Sequence, residues 1–164
     1  MIVIADASPL NYLILVGEAE VFPKLFGRVL IPAAVSKELQ QDRTPEKVRK
    51  WISTPPAWLE VRSVQPPRTS ELESLGIGER EAIWLAEQVH ADWLIIDDYA
   101  GRQEAARRHL PIMGTLRVLD EAASRGLINL TEVLPRFEQT TFFLSPDLVQ
   151  WLLDRDAQRK KKSS

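Results

Sequence analysis

Short apolar runs alternate with longer amphipathic segments along the chain. Residues 2–5 (IVIA) and 93–96 (WLII) are continuous apolar runs in which no polar residue alternates. This pattern is typical of a strand that is covered on both faces, as in a parallel sheet. After the first run, Leu10, Leu13 and Ile14 form an apolar stripe at helical spacing. The pattern therefore predicts an α/β protein in which strands and helices alternate.

The same reasoning assigns the remaining elements. Strands are predicted at 2–5, 28–32, 93–97 and 110–113, with a short edge strand at 58–62 and a small extra strand at 126–130 as further candidates. Helices are predicted from Ser8 onward and at 18–26, 33–41, 45–53, 79–90, 100–109, 116–125, 131–140 and 146–157. Because the connections are short, we expect a three-layer α/β/α sandwich with a central, mainly parallel sheet.

Composition narrows the class of protein. The length of 164 residues fits one domain, which we place at 1–157, followed by a basic tail at 158–164 that we expect to be disordered. The absence of cysteine excludes disulfides, thiolate zinc sites and cysteine nucleophiles. No apolar run is long enough for a membrane span, and the first residues do not resemble a signal peptide. We therefore expect a cytoplasmic protein without membrane contact.

Acidic residues stand where predicted strands end. Asp6 follows the first apolar run, and Asp97 and Asp98 follow the run at 93–96. In open parallel sheets, sites form beyond the carboxyl ends of the strands. Glu38 and Glu81 lie on helices from which they can reach the same edge. Because clustered carboxylates repel one another, and because oxygen ligands without cysteine suit hard cations, this pattern predicts a site for Mg²⁺ or Mn²⁺.

Each acid also has a structural explanation when it is taken alone. Asp6 and Asp98 are residue types that cap turns and helices, and Glu38 can be a solvated helix residue. Glu79 and Glu81 can favour the positive end of a helix dipole, which is the better explanation for Glu79. The joint pattern favours metal-assisted hydrolysis of a phosphodiester, because this chemistry needs no protein nucleophile and the sequence offers none.

Five segments, taken together and in order, resemble the PIN domain family. They are IVIADASPLNYL, LIPAAVSKEL, GIGEREAIWLA, LIIDDYAGRQEA and IMGTLRVLDEA, within about residues 1–130. They are most similar to the VapC-like bacterial toxin type, in the branch with GE-x-EAI, DD, GR and GTL blocks. One departure is the isoleucine at 95 or 96, where many members of the family carry threonine.

This resemblance implies a metal-dependent ribonuclease and assigns its acids. The catalytic set would be Asp6, Glu38, Glu81, Asp97 and Asp98, of which Asp6, Glu81, Asp97 and Asp98 would bind the metal. The alignment leaves two positions open for the last acid, Asp97 or Asp98, with Asp97 preferred. Ser8, Asn11, Arg102 and Thr115 would contact the substrate or its phosphate.

The resemblance also implies partners. RNA would be the substrate, a small antitoxin protein would restrain the activity, and two copies of the chain would form a homodimer. At a net charge of −2, contact with RNA requires local basic patches and not a global positive field. The alternative is a non-catalytic PIN-like binding module that retains a vestigial acidic site.

Overall fold

The computed structural model describes residues 1–163 and contains five strands and ten helices within that range. The strands are β1 Val3–Ala5, β2 Val29–Pro32, β3 Leu59–Arg62, β4 Trp93–Ile95 and β5 Ile112–Met113. The helices are α1 Ala7–Leu15, α2 Val21–Phe26, α3 Ala33–Glu38, α4 Glu46–Ser53, α5 Ser70–Glu73, α6 Ile77–Gln88, α7 Tyr99–Arg107, α8 Thr115–Ser124, α9 Leu130–Glu138 and α10 Pro146–Ser163.

The strands form one parallel sheet in the order β3-β2-β1-β4-β5. In β1, Val3 pairs with Val29 of β2 on one side and with Trp93 of β4 on the other. The next two strands along the chain, β2 and β3, lie on one side of β1, and the last two, β4 and β5, lie on its other side. This reversal between β1 and β4 creates a topological switch point, where open α/β sheets bind their ligands.

Alternate side chains of the strands enter two separate cores. Val3 and Ala5 of β1 pack into the larger core with α1, α2, α4, α8 and α9, whereas Ile4 packs into the smaller core with α5, α6 and α7. This alternation follows from the two-residue period of a strand. Helices thus cover both faces, which explains the continuous apolar runs and confirms the predicted three-layer α/β/α sandwich.

Residues 126–130, which we predicted as a small strand, instead connect two helices. Gly126 has φ +71°, its amide donates to the Ala123 carbonyl, and the Leu127 amide donates to the Ala122 carbonyl. These bonds end α8 in the manner of a Schellman motif. The side chain of Asn129 then accepts from the Thr131 amide and caps α9. Because the ends of two helices use this segment, the strand prediction was wrong.

The last helix is longer than the predicted 146–157. Residues 158–163, which we expected to belong to a disordered tail, continue α10. Arg159 donates to Asp120 on α8 at 2.8 Å and to Asp156 at 3.2 Å, and Lys160 lies 3.0 Å from Asp156. These ion pairs stabilise the last turns of the helix. The candidate edge strand at 58–62 is confirmed as β3, and the chain then leads into the short helix α5, which we did not predict.

No helix in residues 1–163 has both the length and the apolar character that crossing a bilayer requires.

Candidate active site

A cavity of about 1050 Å³ opens at the carboxyl edge of the sheet, beyond the switch point. Its acidic side, which we call the acidic floor, consists of Asp6, Glu38, Glu79, Asp97 and Asp98. The other lining residues come from α1, from the segment between α3 and α4, and from the end of α9: they are Ala7, Ser8, Asn11, Tyr12, Leu15, Leu39, Arg43, Thr44, Pro45, Arg136, Gln139, Thr140 and Thr141. Four of the five predicted catalytic acids therefore meet in one cavity.

Asp6 occupies the most buried position of the acidic floor. It follows β1 directly and its amide donates to the Ile95 carbonyl of β4 at 2.9 Å, so it sits at the switch point. Its side chain is 2 % exposed, and its Oδ1 has no hydrogen-bond partner in the described part of the chain. An unpartnered buried carboxylate oxygen is costly unless a proton or a cation neutralises it.

The pKa of Asp6 is raised from 3.8 to about 8, and burial is the largest cause. The negative charge of Glu79 is the next largest cause, and Glu38 and Asp97 raise the pKa further, whereas a hydrogen bond from the Ala7 backbone opposes the rise. All these effects follow from one arrangement, in which several carboxylates are close together and little water reaches the innermost one. Such a carboxyl group remains protonated at neutral pH unless a cation replaces the proton.

Asp97 is held in place by three donors. Its Oδ1 accepts from the Thr115 amide at 2.8 Å, and its Oδ2 accepts from the Thr115 hydroxyl at 2.5 Å and from the Ser8 hydroxyl at 3.1 Å. Thr115 is the first residue of α8, so the positive end of that helix dipole also favours the negative charge of Asp97. Asp97 is therefore an oriented carboxylate whose charge acts on Asp6.

Asp98 has a local role in the backbone. It is the N-cap of α7, and its Oδ2 accepts from the Gly101 amide at 2.8 Å. This is the capping explanation that the sequence already offered for it. Asp98 also lines the cavity, but of these two aspartates only Asp97 contributes to the raised pKa of Asp6. The capping bond of Asp98 and the contribution of Asp97 to the pKa of Asp6 therefore favour Asp97 over Asp98 as the acid that acts together with Asp6.

Glu38 approaches Asp6 across Gly78. Glu38 is the last residue of α3, and burial, followed by the charge of Glu79, raises its pKa, while Arg43 lowers it. A Cβ added to Gly78 would lie 3.3 Å from Oε2 of Glu38 and 3.6 Å from Oδ1 of Asp6. The glycine thus lets the backbone of α6 approach both carboxylates closely, as a side chain here would crowd them.

Glu79 lines the cavity, and Glu81, which we predicted as a metal ligand, does not. Glu81 accepts at 3.1 Å from the amide of Ala34, in the first turn of α3. Glu79 is the third residue of α6 and folds back towards the N-cap Gly76, where an added Cβ would clash with its carboxylate. Residues two apart on a helix do not face the same way, so only one of these glutamates can reach the floor.

The profile of the PIN domain family matches residues 2–158, nearly the whole chain. The chain belongs to the PIN domain family. This confirms the resemblance that the five segments indicated. PIN domains are generally nucleases, so the chain has a nuclease-type fold. No curated protein matches the sequence.

The four predicted substrate contacts divide into two pairs in this PIN domain. Ser8 and Asn11 line the cavity. Thr115 is fully buried and directs both of its donors to Asp97, so it orients that acid instead of facing the cavity. Arg102 donates to the Ile96 carbonyl at 3.1 Å and packs against Gly114, where an added Cβ would lie 2.7 Å from its Nη1. Arg102 therefore supports the strand ends that carry Asp97.

Several cavity residues were missed in the sequence analysis. Glu79 was assigned to the helix dipole alone; placing the start of α6 at Ile77 would have put it at the third position, where a carboxylate turns back towards the N-cap. Tyr12 lies in the first of the five segments, four residues after Ser8 on the same helix, and this spacing could have marked it. Arg43 and Arg136 lie outside the five segments, and only long-range packing brings them to the cavity, so no local signal marks them.

The donor chemistry of the acidic floor fits a hard divalent cation. It offers carboxylate oxygens only, and Oδ1 of Asp6 lacks any partner within the described residues. As placed, however, no three His, Cys, Asp or Glu side chains in residues 1–163 stand close enough together to hold a metal ion. Cation binding would therefore require the carboxylates to move closer together.

Proposed function

We propose that this PIN domain is a metal-dependent endoribonuclease that hydrolyses RNA phosphodiester bonds. The observation that carries the proposal is the buried, unpartnered Oδ1 of Asp6, which lies at the switch point among three further carboxylates, Glu38, Glu79 and Asp97. A proton or a cation must compensate this charge, and Mg²⁺ or Mn²⁺ suits the oxygen donors.

In this proposal, Asp6, Asp97 and Glu79 hold the ion, with Glu38 at the edge of the site. A divalent cation bound to carboxylates lowers the pKa of a water and stabilises charge on a phosphoryl oxygen. Thr115 and Ser8 orient Asp97 through three hydrogen bonds. Asp6 would have to give up its proton to hold the cation, since its pKa of about 8 keeps it protonated at neutral pH. Ser8 and Asn11 line the same cavity, which supports the proposal that they contact the substrate phosphate.

The choice of RNA, a toxin role and the partners rest on the resemblance to VapC-like toxins. We propose that the chain acts in the cytoplasm as the toxin of a toxin–antitoxin pair, that a small antitoxin binds it, and that it forms a homodimer. In this scheme, the antitoxin blocks the cavity until it is removed.

Substitution of Asp6 tests the catalytic proposal. Purified protein is incubated with RNA and Mg²⁺ or Mn²⁺, and Asp6→Asn is compared with the wild type. We expect the variant to lose activity on the order of 100-fold or more, because the innermost carboxylate oxygen is replaced by an amide. Asp147→Asn, at an exposed position of α10, is the matched control and should retain full activity. Equal cleavage by the wild type and Asp6→Asn would exclude this site as the catalytic centre.

A second candidate function is a non-catalytic PIN-like binding module. The observation that favours it is the absence, within residues 1–163, of three donors close enough to hold an ion as placed. This candidate predicts that the wild type binds RNA or a protein partner but does not cleave RNA at any concentration of Mg²⁺ or Mn²⁺. Cleavage that depends on Asp6 would rule it out.

A further inference from the structure

Two arginines line the cavity together with the acidic floor. Arg43 lies between α3 and α4, and Arg136 lies in the last turn of α9. The charge of Arg43 lowers the pKa of Glu38, so Arg43 is close to the acidic floor. Neither residue belongs to any of the five segments that identify the family. The cavity is therefore lined by both signs of charge.

Both guanidinium groups retain unused donors. Arg136 donates through Nη1 alone, at 3.0 Å to the Val16 carbonyl and at 3.1 Å to Glu18 Oε1. Arg43 donates through Nε alone, at 3.0 Å to the side chain of Gln41. Within residues 1–163, the other nitrogens of both groups make no hydrogen bond to protein. The existing bonds hold each side chain in place while the remaining N–H groups are available to a ligand.

An RNA strand is a polyanion, so its binding beside the acidic floor requires positively charged side chains such as Arg43 and Arg136. The acidic floor repels a nucleic-acid strand, and the net charge of −2 supplies no global attraction. Because a bound cation compensates only part of the floor, nearby side chains must compensate the phosphates on either side of the reacting one. Arginine suits this task, since its planar group presents paired N–H donors to phosphate oxygens.

We propose that Arg43 and Arg136 bind the backbone phosphates next to the one at the acidic floor and so position the RNA strand in the cavity. This inference rests on the proposed function, since it takes RNA as the ligand. Both residues are positioning residues: they act on substrate binding and not on the reacting bond. Their removal should raise KM and leave kcat nearly unchanged.

The test measures RNA binding without cleavage. A fluorescently labelled RNA oligonucleotide is titrated with protein in EDTA, and its anisotropy is recorded at several salt concentrations. Each phosphate contact to a single strand contributes about 0.7 to the slope of log K against log salt. We expect Arg43→Gln and Arg136→Gln each to weaken binding and to reduce the slope by about that amount.

Two controls separate charge from structure. Arg28→Gln removes an exposed arginine just before β2, at the opposite, amino edge of the sheet, and should leave both the affinity and the slope unchanged. Arg136→Lys retains a positive charge and should restore most of the salt slope, which a purely structural role of Arg136 would not predict. Thermal unfolding of each variant verifies the fold, and Arg43→Gln alone decides the test if Arg136→Gln does not fold.

The outcomes distinguish this inference from the proposed function. RNA binding that depends on both arginines, without any cleavage, would support the inference and refute the nuclease. Cleavage by the wild type with unchanged slopes and KM values in both glutamine variants would overturn the inference and leave the nuclease standing. Equal losses in Arg28→Gln, or no RNA binding by the wild type, would also overturn it.

Discussion

At the scale of single residues, Asp6 is where burial and charge conflict most strongly. Its carboxyl group is 2 % exposed, and burial together with neighbouring carboxylates raises its pKa from 3.8 to about 8. Between these two pH values, the folded protein binds a proton that the unfolded chain releases. The free energy of unfolding therefore decreases as the pH rises through this window, and below about pH 4 the effect is absent.

We predict that Asp6→Asn stabilises the metal-free protein at neutral pH. The amide cannot ionise, so the variant avoids the cost of keeping a buried acid protonated or charged. In EDTA, its unfolding temperature should match that of the wild type near pH 4 and exceed it by pH 7. The gain should be at least about 1 kcal/mol, or roughly 2–4 °C for a chain of this size.

Thermal unfolding between pH 4 and pH 8 measures this difference, with Asp147→Asn as the control that should show none. A constant difference between Asp6→Asn and the wild type at all pH values would show that the pKa of Asp6 is not raised. In the presence of Mn²⁺ the order should reverse, because the wild-type carboxylate can bind the cation and the amide binds it weakly.

At the scale of elements, the packing of α6 against α3 decides whether Glu79 or Glu81 enters the cavity. Glu81 points from α6 to the first turn of α3 and accepts from the Ala34 amide, one of the backbone donors that a helix start leaves unpaired. Glu79, two residues earlier, turns towards the cavity. Glu81 thus stabilises the start of α3, whereas the metal-binding role that we propose falls to Glu79.

We predict that substitution of Glu79 affects metal affinity, whereas substitution of Glu81 affects stability. Glu79→Gln should lower Mn²⁺ affinity on the order of 10-fold, because it removes a charge from the acidic floor. Glu81→Gln should leave this affinity unchanged, since its side chain faces Ala34. Glu81→Ala should lower the free energy of unfolding by about 0.5–2 kcal/mol through loss of the cap. Calorimetric titration with Mn²⁺ and urea unfolding measure the two quantities, and the reverse pattern would return the metal role to Glu81.

At the scale of the whole molecule, ion pairs hold the last helix, α10, against α8. Asp120 of α8 is buried and accepts from Arg155 at 3.2 Å and from Arg159 at 2.8 Å, both on α10. Asp156 of α10, also buried, pairs with Arg159 and Lys160. Leu152 adds an apolar contact with the larger core. The helix is therefore held to the domain both by apolar packing and by buried charges.

We predict that a chain ending at residue 157 is less stable than the full chain. The truncation removes Arg159, so one oxygen of the buried Asp120 loses its charged partner, at a cost of about 1–3 kcal/mol. Arg159→Gln in the full chain should lose a similar amount, and a chain ending at residue 162 should lose almost nothing. Urea unfolding compares the midpoints. If the chain ending at 157 has the midpoint of the full chain, then 1–157 is the complete folding unit.

Much of the architecture is determined by the sequence alone. The apolar runs mark the central strands, because a strand covered on both faces must be apolar throughout. The acids Asp6 and Asp97 could be placed at one edge, because the carboxyl ends of parallel strands share that edge. These are local properties of the chain, and they were sufficient for the fold class and for the placement of Asp6 and Asp97 at one edge, whereas Glu38 reaches the cavity from the end of a helix.

The direction of individual side chains was decided only in the tertiary structure. Whether Glu79 or Glu81 reaches the cavity depends on the residue at which α6 begins, and a shift of one or two positions rotates every side chain around the helix. Arg43 and Arg136 share the cavity because α3 and α4 pack against α1 and Arg136 donates to the Val16 carbonyl at the end of α1, a consequence of long-range contacts that no local pattern records. The sequence therefore determines where acids can gather, and only packing determines which residues surround them.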